Sequence, residues 1–191
     1  MLEQGTWLNE PPHWNIADGI LHVTTGPEGD FWRHTYYGFV HDSGHVLAVP
    51  VSAHFTAQVF VEADFQHLYE QAGLMLRASP EIWCKAGVEF SDGERMIGSV
   101  LTQGQSDWAT CRMPETSGGF WVRMTLKDGV LRVQYSTDGH RWPLLRLCPF
   151  PAEDGLSIGP MCCSPQGEGL RVTFRHFSVG VAQSKDLHDL S

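Results

Sequence analysis

The chain has 191 residues, which is enough for one well-buried domain and short for two. Its net charge of -9, from 13 basic and 22 acidic side chains, argues against binding of nucleic acids or anionic membranes, because phosphates must be met by Lys and Arg. No apolar run approaches the ~20 residues of a membrane-spanning helix, and the N-terminal residues carry no secretory pattern. The five cysteines are odd in number and fit no zinc pattern, so we expect reduced thiols in a cytoplasmic protein.

Twenty Gly and eleven Pro residues, spread along the chain, favour many short strands over long helices. An aromatic, proline-containing lead-in precedes the first strand. Four strands are then expected, at 16–25, 30–39, 46–51 and 55–65, the third being an edge or irregular strand because it contains Pro50. Further along, Asp128-Gly129 between two alternating runs predicts a tight hairpin, and 170–179 is the last strand.

The stretch from Gln71 to Trp108 has the clearest pattern in the chain, three strands joined by two short turns. Its period of two indicates strands and excludes helices. One face is small or apolar and is predicted to form the core, with Leu74, Leu76, Cys84, Ala86 and Val88. The other face carries Arg77, Trp83, Lys85 and Glu89, which is more polar than packing requires. This second face is the predicted working surface.

About a dozen short strands in a chain of this length predict an all-β sandwich of antiparallel sheets. We expect residues 1–182 to form one domain and the polar residues 183–191 to form a disordered tail.

Several runs together resemble an uncharacterised family that takes its name from a suggested role in enolase regulation: DFWRHTYYGF, QAGLMLR, WCKAGVEFSDG, SDW, YSTDGHRW, RLCPFP and GPMCCSPQGEGLRVTF. The resemblance covers about residues 5 to 180. It implies a concanavalin A-like jelly-roll sandwich, as in legume lectins and laminarinase-type glucanases. It implies no established activity, so function must be argued from the site.

The predicted function is binding of a carbohydrate or sugar acid in the concave groove of the sandwich. Sugars are held by aromatic faces together with a few fixed polar groups. Trp32, Tyr36 and Trp83 are the expected apolar platforms. The expected polar anchors are His34, Arg77, Lys85 and Glu89, with Asp107 at the rim. The alternative is that the tryptophans only cap a sheet beneath a loop.

Arg77 lies in mid-strand, where a buried charge needs a partner. Glu89 or Glu62 is the expected partner, and a ligand carboxylate or phosphate is the alternative.

Two other functions stay open. A glycoside hydrolase or lyase would use Glu62 or Glu89 with His34 or Tyr36, although the three alternating acids of laminarinase-type enzymes are missing. A protein-interaction module acting on a metabolic enzyme is what the family name suggests. No cofactor fingerprint and no metal-ligand pattern is present in the sequence.

Overall fold

The computed structural model describes residues 1–116, 118–151 and 155–191. Within these ranges the chain forms sixteen strands and one short 3-10 helix, Leu2–Gln4. A first sheet, sheet A, has seven strands. In spatial order these are β1 (Thr6–Leu8), β6 (His45–Pro50), β15 (Ser157–Cys163), β8 (Gln71–Ser79), β9 (Ile82–Ser91), β10 (Glu94–Gln103) and β11 (Gln105–Arg112).

The second sheet, sheet B, also has seven strands. In spatial order they are β14 (Leu144–Pro149), β13 (Val130–Ser136), β12 (Phe120–Lys127), β7 (Phe55–Ala63), β16 (Arg171–Gly180), β3 (Ile20–Thr24) and β2 (His13–Ala17). Every pairing in both sheets is antiparallel. A separate two-stranded hairpin, β4 (Phe31–Arg33) and β5 (Val40–Asp42), lies outside both sheets.

The main core lies between the two sheets. Alternate residues of β7 and β12, such as Val59, Val61 and Met124, meet alternate residues of β8 and β9, such as Leu76 and Cys84, and all five are fully buried. Because the side-chain period of a strand is two, each strand gives one face to this core and keeps the other for the outside. The predicted all-β jelly-roll sandwich of two antiparallel sheets is confirmed.

The outer face of sheet A has a core of its own. Met75, Trp83 and Val100 on this face pack against Phe31 and Trp32 of the β4–β5 hairpin, and Val46, Met161 and Cys163 complete the cluster. The hairpin therefore acts as a cover over one end of the sheet.

The single strand expected over residues 30–39 is wrong. β4 ends at Arg33, and the chain turns through His34 to Tyr37 before β5 begins at Val40. His34 and Tyr36 both have positive φ angles, of 60° and 64°. A strand requires negative φ, so the alternation of aromatic residues in this run does not reflect a sheet.

Three glycines lie side by side on the outer face of sheet A, Gly73, Gly87 and Gly98. β8 and β9 approach so closely here that a Cβ on Gly87 would overlap the carbonyl oxygen of Ala72. The strip is therefore free of side chains and forms a flat floor between larger residues.

The described ranges contain no helix with the length and apolar character needed to cross a membrane.

Candidate functional site

β8 and β9 place the predicted working residues on one surface. Arg77 pairs with Trp83 across the two strands, and Lys85 and Glu89 follow at alternate positions of β9. Their neighbours Cys84, Ala86 and Val88 point into the core between the sheets. The structure confirms that the four residues share the outer face of sheet A, as the period of two predicts.

The β4–β5 hairpin is fixed to this face by buried polar contacts. The Lys85 ammonium donates to the carbonyl oxygen of Phe31 at 2.7 Å and lies 3.3 Å from the Asp30 carboxylate. Burial lowers the pKa of Lys85, but the charges of Asp30, Cys163 and Glu89 and the hydrogen bond to Asp30 together outweigh this effect, and the pKa lies above its ordinary value. On the far side, the backbone N–H of Arg33 donates to the Ser106 hydroxyl at 2.9 Å. The main role of Lys85 is therefore structural, since its ammonium holds the hairpin on sheet A.

Arg77 has a different partner from the expected Glu89 or Glu62. Its guanidinium donates two hydrogen bonds to the Asp42 carboxylate, at 2.8 and 2.7 Å. Asp42 is the last residue of β5, so this bidentate pair holds the end of the hairpin against β8. The ion-pair partner of Arg77 is therefore Asp42, which comes 35 positions earlier in the chain, and neither Glu89 nor Glu62 has this role.

Trp83 is on the expected face but cannot serve as a stacking platform. Only 1% of its surface is exposed, because the Phe31 ring packs on it edge to face with centroids 6.1 Å apart. Lys85 completes its surroundings, with the ammonium 5.8 Å from the indole centroid. Trp83 is thus part of the packing that seats the hairpin.

An open cleft of about 330 Å³ lies beside the hairpin, above the end of sheet A that the hairpin leaves uncovered. Its walls are aromatic and its polar groups are mainly acids and amides. Among the described residues, the lining consists of Glu28, Asp30, Trp32, Tyr37, Phe39, His41, Tyr69, Gln71, Lys85, Glu89, Val100, Trp108, Pro165 and Gln166.

Three of the predicted ligand residues line this cleft, Trp32, Lys85 and Glu89. His34 and Tyr36 do not line it, since both lie in the hairpin turn, where Tyr36 is 94% exposed. Asp107 is also placed elsewhere. It pairs across β10 with Leu101, an inward-facing position, and accepts a hydrogen bond from Arg146 of sheet B at 3.0 Å. The expected position of Asp107 at the groove rim is wrong. Its pairing with Leu101 of β10 places its side chain on the inner face of sheet A, and the cleft lies on the outer face.

Glu89 is the titratable group in the cleft with the most altered environment. Its carboxylate accepts no hydrogen bond from any residue that the structure describes. Burial raises the pKa of Glu89 from 4.5 to about 7, an effect that Lys85 opposes and that Asp30 and Asp92 reinforce. Perturbed acids in clefts are candidates for functional residues.

Glu62 and Glu89 are not brought together. Glu62 lies on the outer face of sheet B and pairs with Arg175 at 2.7 Å, whereas Glu89 lies on the outer face of sheet A. The whole sandwich separates them, so they cannot flank one glycosidic bond at the ~5–10 Å that glycosidases require. Glu62 and Glu89 therefore cannot act together as a catalytic pair.

The sequence interpretation missed the aromatic walls on the far side of the cleft. Trp108 on β11 faces the cleft opposite Val100 of β10, and its ring meets that of Trp32 with centroids 6.4 Å apart. Tyr69 lies in the loop before β8, where interaction with the Tyr37 side chain raises its pKa. The alternation along 105–112 was a usable signal, because Trp108 and Asp107 cannot face the same side of a strand.

The family described as "Protein of unknown function (DUF1349)" matches residues 7–181 of the chain. The chain belongs to this family. Over 190 residues it is 48% identical to the Saccharomyces cerevisiae protein named "Regulation of enolase protein 1", covering 100% of this chain and 96% of that protein. This agrees with the resemblance found in the sequence.

Solved structures show the same architecture. A functionally unknown protein from Saccharomyces cerevisiae has a TM-score of 0.93 at 47% identity, covering 96% of this chain and 99% of that one. A GH43 protein from Bacillus licheniformis has a TM-score of 0.73 at 17% identity, over 95% of this chain and 38% of that one. An alginate lyase from Klebsiella pneumoniae has a TM-score of 0.57 at 10% identity, over 90% and 85%. The last two likenesses show the fold alone.

Proposed function

We propose that this protein binds a carbohydrate in the cleft between the β4–β5 hairpin and the uncovered end of sheet A. The observation that carries the proposal is the lining of the cleft, in which the open rings of Tyr37, Phe39 and Trp108 stand beside Gln71 and Glu89. Aromatic faces next to a few oriented polar groups are what a pyranose needs, since its ring has apolar C–H faces and a polar rim.

The preformed state of the walls supports binding. The hairpin is held by the Lys85 and Arg77 contacts, and the Trp32 indole N–H donates to the carbonyl oxygen of Thr35 at 2.9 Å. A ligand would therefore meet rings that are already ordered, and less conformational entropy is lost on binding.

Four of the five free cysteines are buried, which fits the reducing, cytoplasmic compartment that forms part of this proposal.

A sugar acid fits the cleft less well than a neutral sugar. The two cations that were expected to bind a carboxylate, Arg77 and Lys85, are already paired with Asp42 and Asp30. An acidic ligand would have to break one of these pairs or lie beside uncompensated carboxylates, and both are unfavourable.

The test is a titration of the purified protein with a panel of neutral disaccharides, followed by thermal shift and calorimetry. We expect at least one to bind, and Trp108→Ala to weaken its affinity at least tenfold, or about 1.4 kcal/mol. Trp14→Ala is the matched control, because Trp14 is 40% exposed, like Trp108 at 41%, and lies on β2 of the other sheet. Equal losses in the two variants, or no binding to the folded wild type, would refute the proposal.

A second candidate function is regulation of enolase through a protein interface. Two observations favour it, the name of the 48% identical relative and the projecting hairpin turn, in which Tyr36 is 94% exposed. Tyr36 packs edge to face on Tyr37, and Tyr37, Phe39 and Val40 are exposed as well, so the hairpin presents a cluster of apolar side chains. Exposed clusters of this kind are typical of protein interaction sites. Co-elution of this chain with purified enolase, abolished by Tyr36→Ser, would support it, and separate elution would exclude it.

A further inference from the structure

The charge in the cleft is unbalanced. Among the described lining residues, Lys85 is the one side chain with a permanent positive charge, and its ammonium is occupied by Asp30 and by the carbonyl oxygen of Phe31. Glu28 and Glu89 form no ion pair within the described part of the chain. The wall thus presents two acids without an ion-pair partner, one at the exposed mouth and one in the interior, where the charge of Lys85 offsets only part of the effect of burial on Glu89.

The aromatic walls meet at steep angles. The planes of Trp32 and Trp108 are inclined by 87°, and those of Trp32 and Tyr37 by 71°. Tyr37 and Phe39 are stacked at 5.1 Å and continue the wall toward solvent. An ammonium group placed over the exposed face of one of these rings is attracted by the negative quadrupole of that face.

We infer that the ligand of this cleft carries a positive charge, and that it is an amino sugar whose ammonium lies between the aromatic walls and the Glu89 carboxylate. The ammonium supplies the charge that Glu89 lacks, while the sugar ring uses the rest of the same aromatic lining. The carbohydrate part of this inference presupposes the function proposed above, and the ammonium part is independent of it.

A change in protonation accompanies such binding. The groups that face Glu89, apart from Lys85, are acids or neutral side chains: Asp30, Asp92, Tyr69 and Cys163. His41 lines the same cleft. An ammonium beside Glu89 favours its ionised form and so lowers its pKa from about 7. Binding below that pH therefore releases a proton, whereas binding of a neutral sugar does not.

The experiment compares four sugars that differ in charge, glucosamine, N-acetylglucosamine, glucose and glucuronate, with choline as an ammonium compound that is not a sugar. Calorimetry at pH 6.5, in two buffers of different ionisation enthalpy, gives the affinity and the number of protons released. We expect glucosamine to bind at least tenfold more tightly than glucose or N-acetylglucosamine, with proton release, and glucuronate to bind most weakly.

Glu89→Gln keeps the shape of the side chain, and it should abolish the preference for glucosamine and the proton release. Glu62→Gln on the other sheet is the matched control and should keep both. Trp108→Leu is a second variant, for use if Glu89→Gln does not fold. It removes a half-exposed ring of the aromatic wall, and it should weaken the binding of glucosamine.

The outcomes separate the two proposals. If glucose binds as well as glucosamine, or glucuronate binds best, the inference is overturned and the carbohydrate function stands. If choline binds as tightly as glucosamine and glucose does not bind, the ammonium site stands and the carbohydrate function fails. If none of the five compounds binds, both are overturned.

Discussion

At the scale of single residues, the interior of the cleft depends on how Asp30, Lys85 and Glu89 are paired. Lys85 and Asp30 compensate each other, and the lysine also fixes the backbone of Phe31. Glu89 lies four residues further along β9 in the same cleft without such a partner. One acid is therefore structural, and the other is available for a ligand.

The pH dependence of stability measures the environment of Glu89. Because its pKa in the folded protein is raised from 4.5 to about 7, both states are protonated below 4.5, and above that pH the unfolded chain ionises first. Stability is therefore lost as the pH rises from about 4.5 to 7, and it is not regained above. Glu89→Gln removes this loss, so we expect it to be more stable than wild type at pH 8 by on the order of 2 kcal/mol, and by less at pH 5.

Urea unfolding between pH 5 and 8 checks this expectation. Glu62→Gln is the control, since its carboxylate is half-exposed beside Arg175. If the stability difference between Glu89→Gln and wild type stays constant over this range, Glu89 is not held in the environment described here.

At the scale of elements, the β8–β9 pair is the most constrained part of sheet A. Gly73 and Gly87 face each other where the two strands approach most closely, and a Cβ on Gly87 would come within 2.7 Å of the Gly73 Cα. Gly87→Ala must push the strands apart and distort sheet A beside the cleft. We expect a loss of about 2–3 kcal/mol in the free energy of unfolding, as for other overpacked sites.

Gly180→Ala is the matched control for this change. Gly180 is at the end of β16, and no atom lies within 4 Å of the position of an added Cβ. Chemical denaturation of the two variants should therefore give a large loss for the first and a change within about 0.5 kcal/mol for the second. Equal effects would show that the close approach of β8 and β9 is not a constraint.

The elements also show what the sequence could and could not predict. The period of two located β7, β8, β9 and β10 and assigned the correct faces to Arg77, Lys85 and Glu89. Alternation says which side a residue faces, but it does not say what covers that side. The β4–β5 hairpin is the cover, and its contacts with Arg77 and Trp83 link positions that are far apart in the chain.

The aromatic run at 30–39 misled for the same reason. Its alternation is typical of a strand, but positive φ at His34 and Tyr36 makes it a turn that carries exposed rings. Such backbone strain is set by tertiary contacts and not by local preference. The part of the site that comes from regular strands was therefore predictable, and the part that comes from the hairpin was not.

At the scale of the whole molecule, the boundary at 182 between the proposed domain and the C-terminal residues is open to test. Composition predicts a disordered tail at 183–191, yet these residues contact sheet B. Arg132 donates to the carbonyl oxygens of Lys185 and Asp186, at 3.1 and 3.3 Å, and the Trp142 N–H donates to that of Leu190 at 2.8 Å. Arg132 is buried, so removal of the tail would leave its guanidinium without these acceptors.

We expect the chain truncated after residue 182 to fold but to lose about 1–3 kcal/mol, because buried donors lose their partners. For a domain of this size each kcal/mol corresponds to roughly 2–4 °C in Tm, which differential scanning calorimetry resolves. A tail of the same length made of Gly and Ser is the control. This tail offers the same backbone carbonyl oxygens but lacks the native side chains that help to position them. We therefore expect it to recover only part of the lost Tm. An unchanged Tm after truncation would mean that the tail is disordered and that sheet B is complete without it.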